Sequence, residues 1–286
     1  MQPDNRFLGL DGVFWANVRS TSQELGYTDR KTKMIRVPTI TEILNSYLKL
    51  GLTSHHVVGI ETGELTTFGQ LLADYFEYRA DVLNNEVQHL LMNAPEAKAL
   101  FKTVSAQLPS ERAVVMNKQK GDKSGPAFLT NLVNLLVEAH MEGTECDFDP
   151  RQLTTITRDG VPLRTLARRV DGAYPAVVNP IAIWEIKEYY YTTTFGSRVA
   201  DGVYESLLDG MELDELRKET GINVRHYLFI DSHFTWWECG RSYLCRMIDI
   251  MHMGYVDEVI FGREVETRTP EIVKSWHIAD QPDSES

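Results

Sequence analysis

The segment Ile181-Ala182-Ile183-Trp184-Glu185-Ile186-Lys187 restricts the fold of this chain more than any other. Side chains alternate along a strand, so Ile181, Ile183, Glu185 and Lys187 share one face and Ala182, Trp184 and Ile186 the other. Both faces begin apolar, as in a strand covered on both sides, and charge enters only at the far end. Ahead of it, Arg168-Arg169-Val170-Asp171-Gly172 reads as a second extended segment ending on one acid. Two acids and a lysine beside the end of a buried strand are costly to desolvate unless something binds there. A divalent metal would offset that cost.

The rest of the chain sets the frame. Its 286 residues suffice for one large domain or two modest ones, and 43% hydrophobic content is that of an ordinary globular protein. No run has the roughly 18 apolar residues of a membrane span, and Met1 to Arg6 lacks the apolar part of a secretory signal, so a cytoplasmic location without membrane contact is expected. Cys146, Cys239 and Cys245 show no zinc spacing and are expected as buried thiols. A net charge of −12 argues against a general nucleic-acid coat protein, though not against a local basic groove.

Residues 1 to 36 read as irregular, with a basic cluster at Arg30, Lys31, Lys33 and Arg36 that fits a solvated loop or a phosphate-contacting arm. Thr39-Ile40-Thr41-Glu42 is a capping box opening a helix, and Thr67-Phe68-Gly69-Gln70 repeats the device. Residues 1–116 are thus expected to be mainly helical, and nothing in them looks like a catalytic site. The polar stretch 117–126 is the best linker, and its Lys118, Lys120 and Lys123 suit solvent or a DNA backbone equally.

From residue 127 the pattern changes. An amphipathic helix to His140 is followed by a strand at Leu153–Ile156, the Asp171 and Glu185 strands, and a helix from about Arg198 to Glu219. Val224–Ile230 is a strand, Phe234–Trp237 a candidate strand, Gly240–Met253 a helix and Val256–Phe261 a last strand. The fold class is α/β, with a mixed central sheet flanked by helices over 127–262 and a partly disordered tail over 263–286. No internal repeat is evident.

Mg²⁺ prefers hard oxygen ligands and keeps several waters, so one or two carboxylates suffice. Asp171 and Glu185 are the candidate ligands, with the Ile186 carbonyl a third. Lys187 is placed to orient a water or meet developing charge. Glu138, near the end of the preceding helix, is a further acid for the site.

Asp171 and Glu185-Ile186-Lys187, with Glu138 upstream and the order α-β-β-β-α-β, resemble the PD-(D/E)xK nuclease superfamily, which includes restriction endonucleases. The resemblance spans roughly residues 127–262. It implies a restriction-endonuclease-like core, Asp171 and Glu185 as metal ligands, Lys187 as catalytic lysine and Glu138 as the helix acid some members use. It also implies a Mg²⁺-dependent endodeoxyribonuclease (Mn²⁺ substituting) of the type II restriction kind, acting on double-stranded DNA as a homodimer. A structure-specific or repair DNase, or a non-catalytic binding member of the same fold, are the alternatives. Val170 stands where many members carry proline, and the following helix offers Arg198, Asp201, Tyr204 and Glu205 where several families carry Gln.

The letters E-x-K carry little alone: Glu96-Ala97-Lys98 has them in a helical stretch, where residues two apart diverge. The strand context separates residues 185–187 from this control. Tyr191 and Thr193 lie just beyond and suit an edge strand or a DNA-contacting loop; Arg168 and Arg169 alternate, one toward the groove and one toward solvent. Arg198 suits a phosphate or an ion pair with Asp201. His55, His56 and His140 lack zinc spacing, and Trp184, Trp236 and Trp237 are expected in the core.

Overall fold

A computed structural model describes residues 1–121, 124–141, 143–192 and 196–280. Among them no helix is long and apolar enough to cross a membrane. The N-terminal region packs α1 (Gly12–Leu25), α2 (Ile40–Lys49) and α3 (Thr67–Asp81) around Phe14, Trp15, Tyr47, Tyr75 and Phe76. Helix α1 corrects the irregular reading of residues 1 to 36. Its Ser, Thr and valine content is a weak helical signal, and it forms because Asp11 caps Phe14 N and Phe14, Trp15 and Val18 are buried. The capping box of α2 forms as read; α3 has none, since Thr66 and not Thr67 is the cap and the residue three on is Gly69, which lacks the side chain to return the bond.

A turn repeats within this region although the letters differ. Lys33 N donates to Asp29 O and Asp29 N to Met34 O, and Gly63, Gly59 and Glu64 make the same two bonds. Lys33 and Gly63 both take positive φ there. The basic cluster belongs to the first turn, and its Arg36 pairs with Glu42 of α2.

Helix α3 runs through a π-helical stretch, Val82–Val87, into α4 (Gln88–Leu90). Next comes α5 (Ala94–Gln107), which packs on α6 (Phe128–His140), so α5 belongs with the C-terminal domain rather than with residues 1–116. The stretch 117–126 is more than a linker. Met116 pairs with Pro126, Asn117 N donates to Gly125 O, and Ala127 N to Val115 O, which makes a hairpin-like arm. Buried Asn131 of α6 pins its base by bonding both the N–H and the carbonyl of Val115.

The sheet has five strands in the order β1-β4-β5-β6-β7. These are β1 (Asp147–Phe148), β4 (Gly172–Tyr174), β5 (Ala182–Glu188), β6 (Arg225–Asp231) and β7 (Glu258–Phe261). β1 and β4 pair antiparallel, as do β4 and β5; β5, β6 and β7 are parallel. Trp184, Tyr227 and Phe229 pack toward α6 and α9 (Val265–Asp280) on one face. On the other, Leu228 and Ile230 meet α7 (Ser197–Thr220) and α8 (Arg241–His252). A mixed central sheet flanked by helices is as expected; its edge strand β1 was not read from the sequence.

Three elements differ from the sequence reading. The strand expected at Leu153–Ile156 begins later and lies outside the main sheet, where β2 (Thr155–Arg158) and β3 (Val161–Thr165) form a hairpin. Phe234–Trp237 is not a strand but part of a π-helical turn, His233–Cys239: Ser232 adopts φ 118°, ends β6 and caps Thr235 N. Residues 265–280 are not tail but α9, held by Trp276 stacked on Trp184; residues 281–286 lie outside the described residues. Trp184, Trp236 and Trp237 are core as expected, whereas Cys239 is exposed.

Candidate active site

Strand β5 positions the site. Glu185 and Lys187 point to the α7 side as the period-two reading requires, and both are buried, at 1% and 5% exposure. Antiparallel pairing of β4 stops at Gly172 opposite Trp184, so the edge of β5 beyond Trp184 is open. Asp171 fills that edge: its Oδ2 accepts from Ile186 N at 2.7 Å. A strand residue points its N–H and its carbonyl to the same edge, so the Ile186 carbonyl faces the Asp171 side too. Gly172 permits this approach, because a Cβ there would lie 2.0 Å from the Trp184 ring.

Helix α7 closes the site from above. Gly202 lets it come close, since a Cβ would lie only 3.3 Å from the Lys187 stem. Lys187 Nζ donates to Glu185 Oε2 at 2.8 Å and to Glu205 Oε2 at 3.0 Å. Arg168, in the loop before β4, donates to Asp209 Oδ2 at 2.6 Å, Glu185 Oε2 at 3.1 Å and Glu205 Oε2 at 3.2 Å. Its Nη1 also lies 2.9 Å from Glu185 Oε1, in contact but without hydrogen-bond alignment. Buried Asp209 leaves its Oδ1 without a hydrogen-bond partner.

Four carboxylates therefore share two cations. Burial, reinforced by the Glu185 charge and opposed by the Ile186 N–H, pushes Asp171 up to about 6. Burial pushes Asp209 up to about 7 even though Arg168 is bound to it. For Lys187, burial works against the ammonium, but neighbouring Glu185 more than compensates and holds its pKa above the ordinary value.

The cluster opens into a cleft of about 520 Å³ lined by Asp171, Glu185, Ile186, Lys187, Arg168 and Glu205, with Thr130 and Asn134 of α6 opposite. From the arm come Asn117, Lys118 and Gln119, and from the end of β5 come Glu188, Tyr189, Tyr190 and Tyr191. The cleft sits at the carboxyl end of β5, the side on which open α/β sheets place their ligands, and antiparallel β4 brings Asp171 there from its amino end.

Of the expected site residues, Asp171, Glu185, Ile186, Lys187, Arg168, Lys118 and Tyr191 are brought together here. Arg168 faces the cleft and Arg169 is exposed, the split expected, but a loop and not strand alternation sets it, since both precede β4. Lys120 is exposed on the arm, outside the cleft lining. Glu138 is not brought to the site: Ser110 and Arg112 bind it instead. Lys123 and Thr193, and the side chain of Arg198, lie outside the described residues.

Sequence reasoning missed Asp209, Glu188 and Asp149. Asp201, Glu205 and Asp209 recur every fourth residue, which places them on one face of α7 and was a readable signal. Glu188 serves the other face of the sheet. It accepts from Thr130 N and Oγ1 at 3.0 and 3.2 Å and so caps α6, whose own N-cap residue Ala127 has no suitable side chain. Asp149 lines the cleft where its N–H bonds the Asp171 carbonyl. Among the described residues, no three His, Cys, Asp or Glu side chains already stand together as a metal-ligand group; Arg168 and Lys187 lie between the carboxylates.

Fold and site together define a mixed α/β domain with an acid-and-lysine centre at the ends of parallel strands. Residues 92–276 match the family model described as Domain of unknown function (DUF7687), and the chain belongs to that family. Residues 1–86 match a second, Domain of unknown function (DUF7690), which coincides with the helical N-terminal region. No curated protein and no solved structure matches.

Proposed function

We propose that the chain is a metal-dependent nuclease that hydrolyses DNA phosphodiester bonds, with a restriction-endonuclease-like core. The observation that carries the reading is the pairing of Asp171 with the Glu185-Ile186-Lys187 strand end inside one cleft. The donor set fits a hard divalent cation: carboxylates of Asp171 and Glu185 and the Ile186 carbonyl, with Glu185 Oε1 buried and lacking an aligned donor. Bound there, Mg²⁺ would acidify a water and draw charge from a phosphate oxygen. Lys187, held by Glu185 and Glu205, aims its ammonium into the cleft, where it can orient the attacking water or meet charge developing on the phosphate. Lys118 and Gln119 from the arm and Tyr191 opposite suit a DNA backbone passing between them.

A second reading has its own support. Arg168 and Lys187 already neutralise Glu185, which also suits a non-catalytic nucleic-acid-binding domain.

The two readings separate in one assay. Plasmid and oligonucleotide DNA are incubated with the protein and Mg²⁺ or Mn²⁺, beside Asp171→Ala and Lys187→Ala. Wild-type cleavage that falls at least about a hundredfold in both variants is expected, the scale typical of losing an electrostatic or acid–base group. Equal cleavage by all three would remove the site assignment, and no cleavage of any DNA would favour the binding reading.

A further inference from the structure

Arg168 holds three of the four carboxylates of the site and lies where a cation would be most stabilised. The backbone leading to it is held: Leu166, two residues before it, is fully buried, and Ala167 N donates to Glu212 of α7 at 3.0 Å. Its side chain is long and about a quarter exposed to the cleft. The head can therefore turn without moving the loop. Even with Arg168 in place the acids outnumber the cations, and Asp209 Oδ1 and Glu185 Oε1 are buried without an aligned donor. The cradle thus has unused acceptors although both Arg168 and Lys187 donate into it.

We propose that Arg168 is a tethered counter-cation: its guanidinium, held by Glu185, Glu205 and Asp209, compensates Glu185 until a divalent cation between Asp171 and Glu185 takes over that charge. Released, it turns into the cleft and clamps a phosphate with its planar fork. This rests on the nuclease reading and adds to it a competition between Arg168 and the metal. Two physical facts support the exchange. A guanidinium is more weakly hydrated than an ammonium and loses less on desolvation, and it binds carboxylate and phosphate with the same two-pronged geometry. A site whose competent state is only partly populated also binds its ligand more weakly by that fraction. Arg168 thus sets the apparent metal affinity as well as holding the empty acids together. It is a positioning residue in one state and a phosphate ligand in the other.

The test is calorimetric titration of Mn²⁺ into the full chain, with folding checked by circular dichroism. Arg168→Gln removes the competing charge and is expected to bind Mn²⁺ at least about tenfold more tightly than wild type while cleaving DNA less well. Arg168→Lys keeps a charge but cannot span three carboxylates, and should bind Mn²⁺ several-fold more tightly; it serves as the readout if the Gln variant does not fold. A folded variant that binds Mn²⁺ no more tightly than wild type overturns the competition and leaves the nuclease reading standing. Absence of Mn²⁺ binding by wild type and variants alike overturns both.

Discussion

Among single residues, the four carboxyls that burial raises most, Asp171, Glu188, Asp209 and Asp231, fall into two groups with different work. Asp171 lines the cleft, and Asp209 holds Arg168 from behind it. Glu188 and Asp231 stand opposite one another at the ends of β5 and β6, where they hold backbone. Asp231 accepts from Met92 N at 2.8 Å, Ser232 N at 2.7 Å and the Tyr190 hydroxyl, and so ties the entry of α5 to the sheet. Burial outweighs those bonds and pushes its pKa up to about 7. A carboxyl raised in this way favours the folded chain while protonated in both states. It works against folding progressively as pH rises from its unfolded value near 4 to 7, because the folded chain then holds a proton that the unfolded chain has lost. Asp231→Asn does not titrate, so its stability relative to wild type should improve between pH 5 and pH 8 by about 2–3 kcal/mol, at roughly 1.36 kcal/mol per pKa unit. Urea midpoints at the two pH values check it; a pH-independent difference would show that Asp231 is charged throughout.

At the scale of elements, β5 was legible because its letters carry both the period and the charge. Alternation alone placed Glu185 and Lys187 on one face and Trp184 on the other, and all three are buried as read. Helix α1 was not legible, since tertiary burial of its aromatic face supplies what its composition lacks. Glu138 was assigned from helix position alone. The phase of α6 gives a direction, but it does not reveal that Ser110 and Arg112 wait there. Asp209 was readable in phase with Asp201 and Glu205, but its partner Arg168 is supplied from a distant loop. Gly172 shows what sequence underdetermines most: its letter in an extended segment does not say why it is required, which is that Trp184, fixed by stacking on Trp276 at 5.5 Å, lies across from it. Gly172→Ala should therefore cost about 1–3 kcal/mol or more from overpacking. It should also shift Asp171, so Mn²⁺ affinity falls alongside the melting temperature. A normal melt with normal Mn²⁺ binding would show that the ring can yield.

In the molecule as a whole, the two family regions meet through a buried ion pair rather than a flexible joint. Arg79 of α3 donates to Asp249 of α8 at 2.9 and 3.1 Å, and Tyr75 adds its hydroxyl to the same carboxylate. Removing one partner of such a pair strands the other charge, typically at about 3–5 kcal/mol, so the helical region is built to stay in register with the sheet. The cleft is likewise assembled from distant stretches of chain: the arm before α6, the loop before β4, the end of β5 and the face of α7. All of them converge on the edge between Asp171 and Glu185. Anomalous diffraction from crystals soaked in Mn²⁺ tests that convergence directly. The expected result is one peak between the Asp171 and Glu185 carboxylates, within reach of the Ile186 carbonyl, with the Arg168 guanidinium withdrawn from Glu185. Saturating Mn²⁺ with no peak there, Glu185 still bound to Arg168 and Lys187 and Asp171 still accepting from Ile186 N, would contradict the metal centre on which the nuclease reading depends.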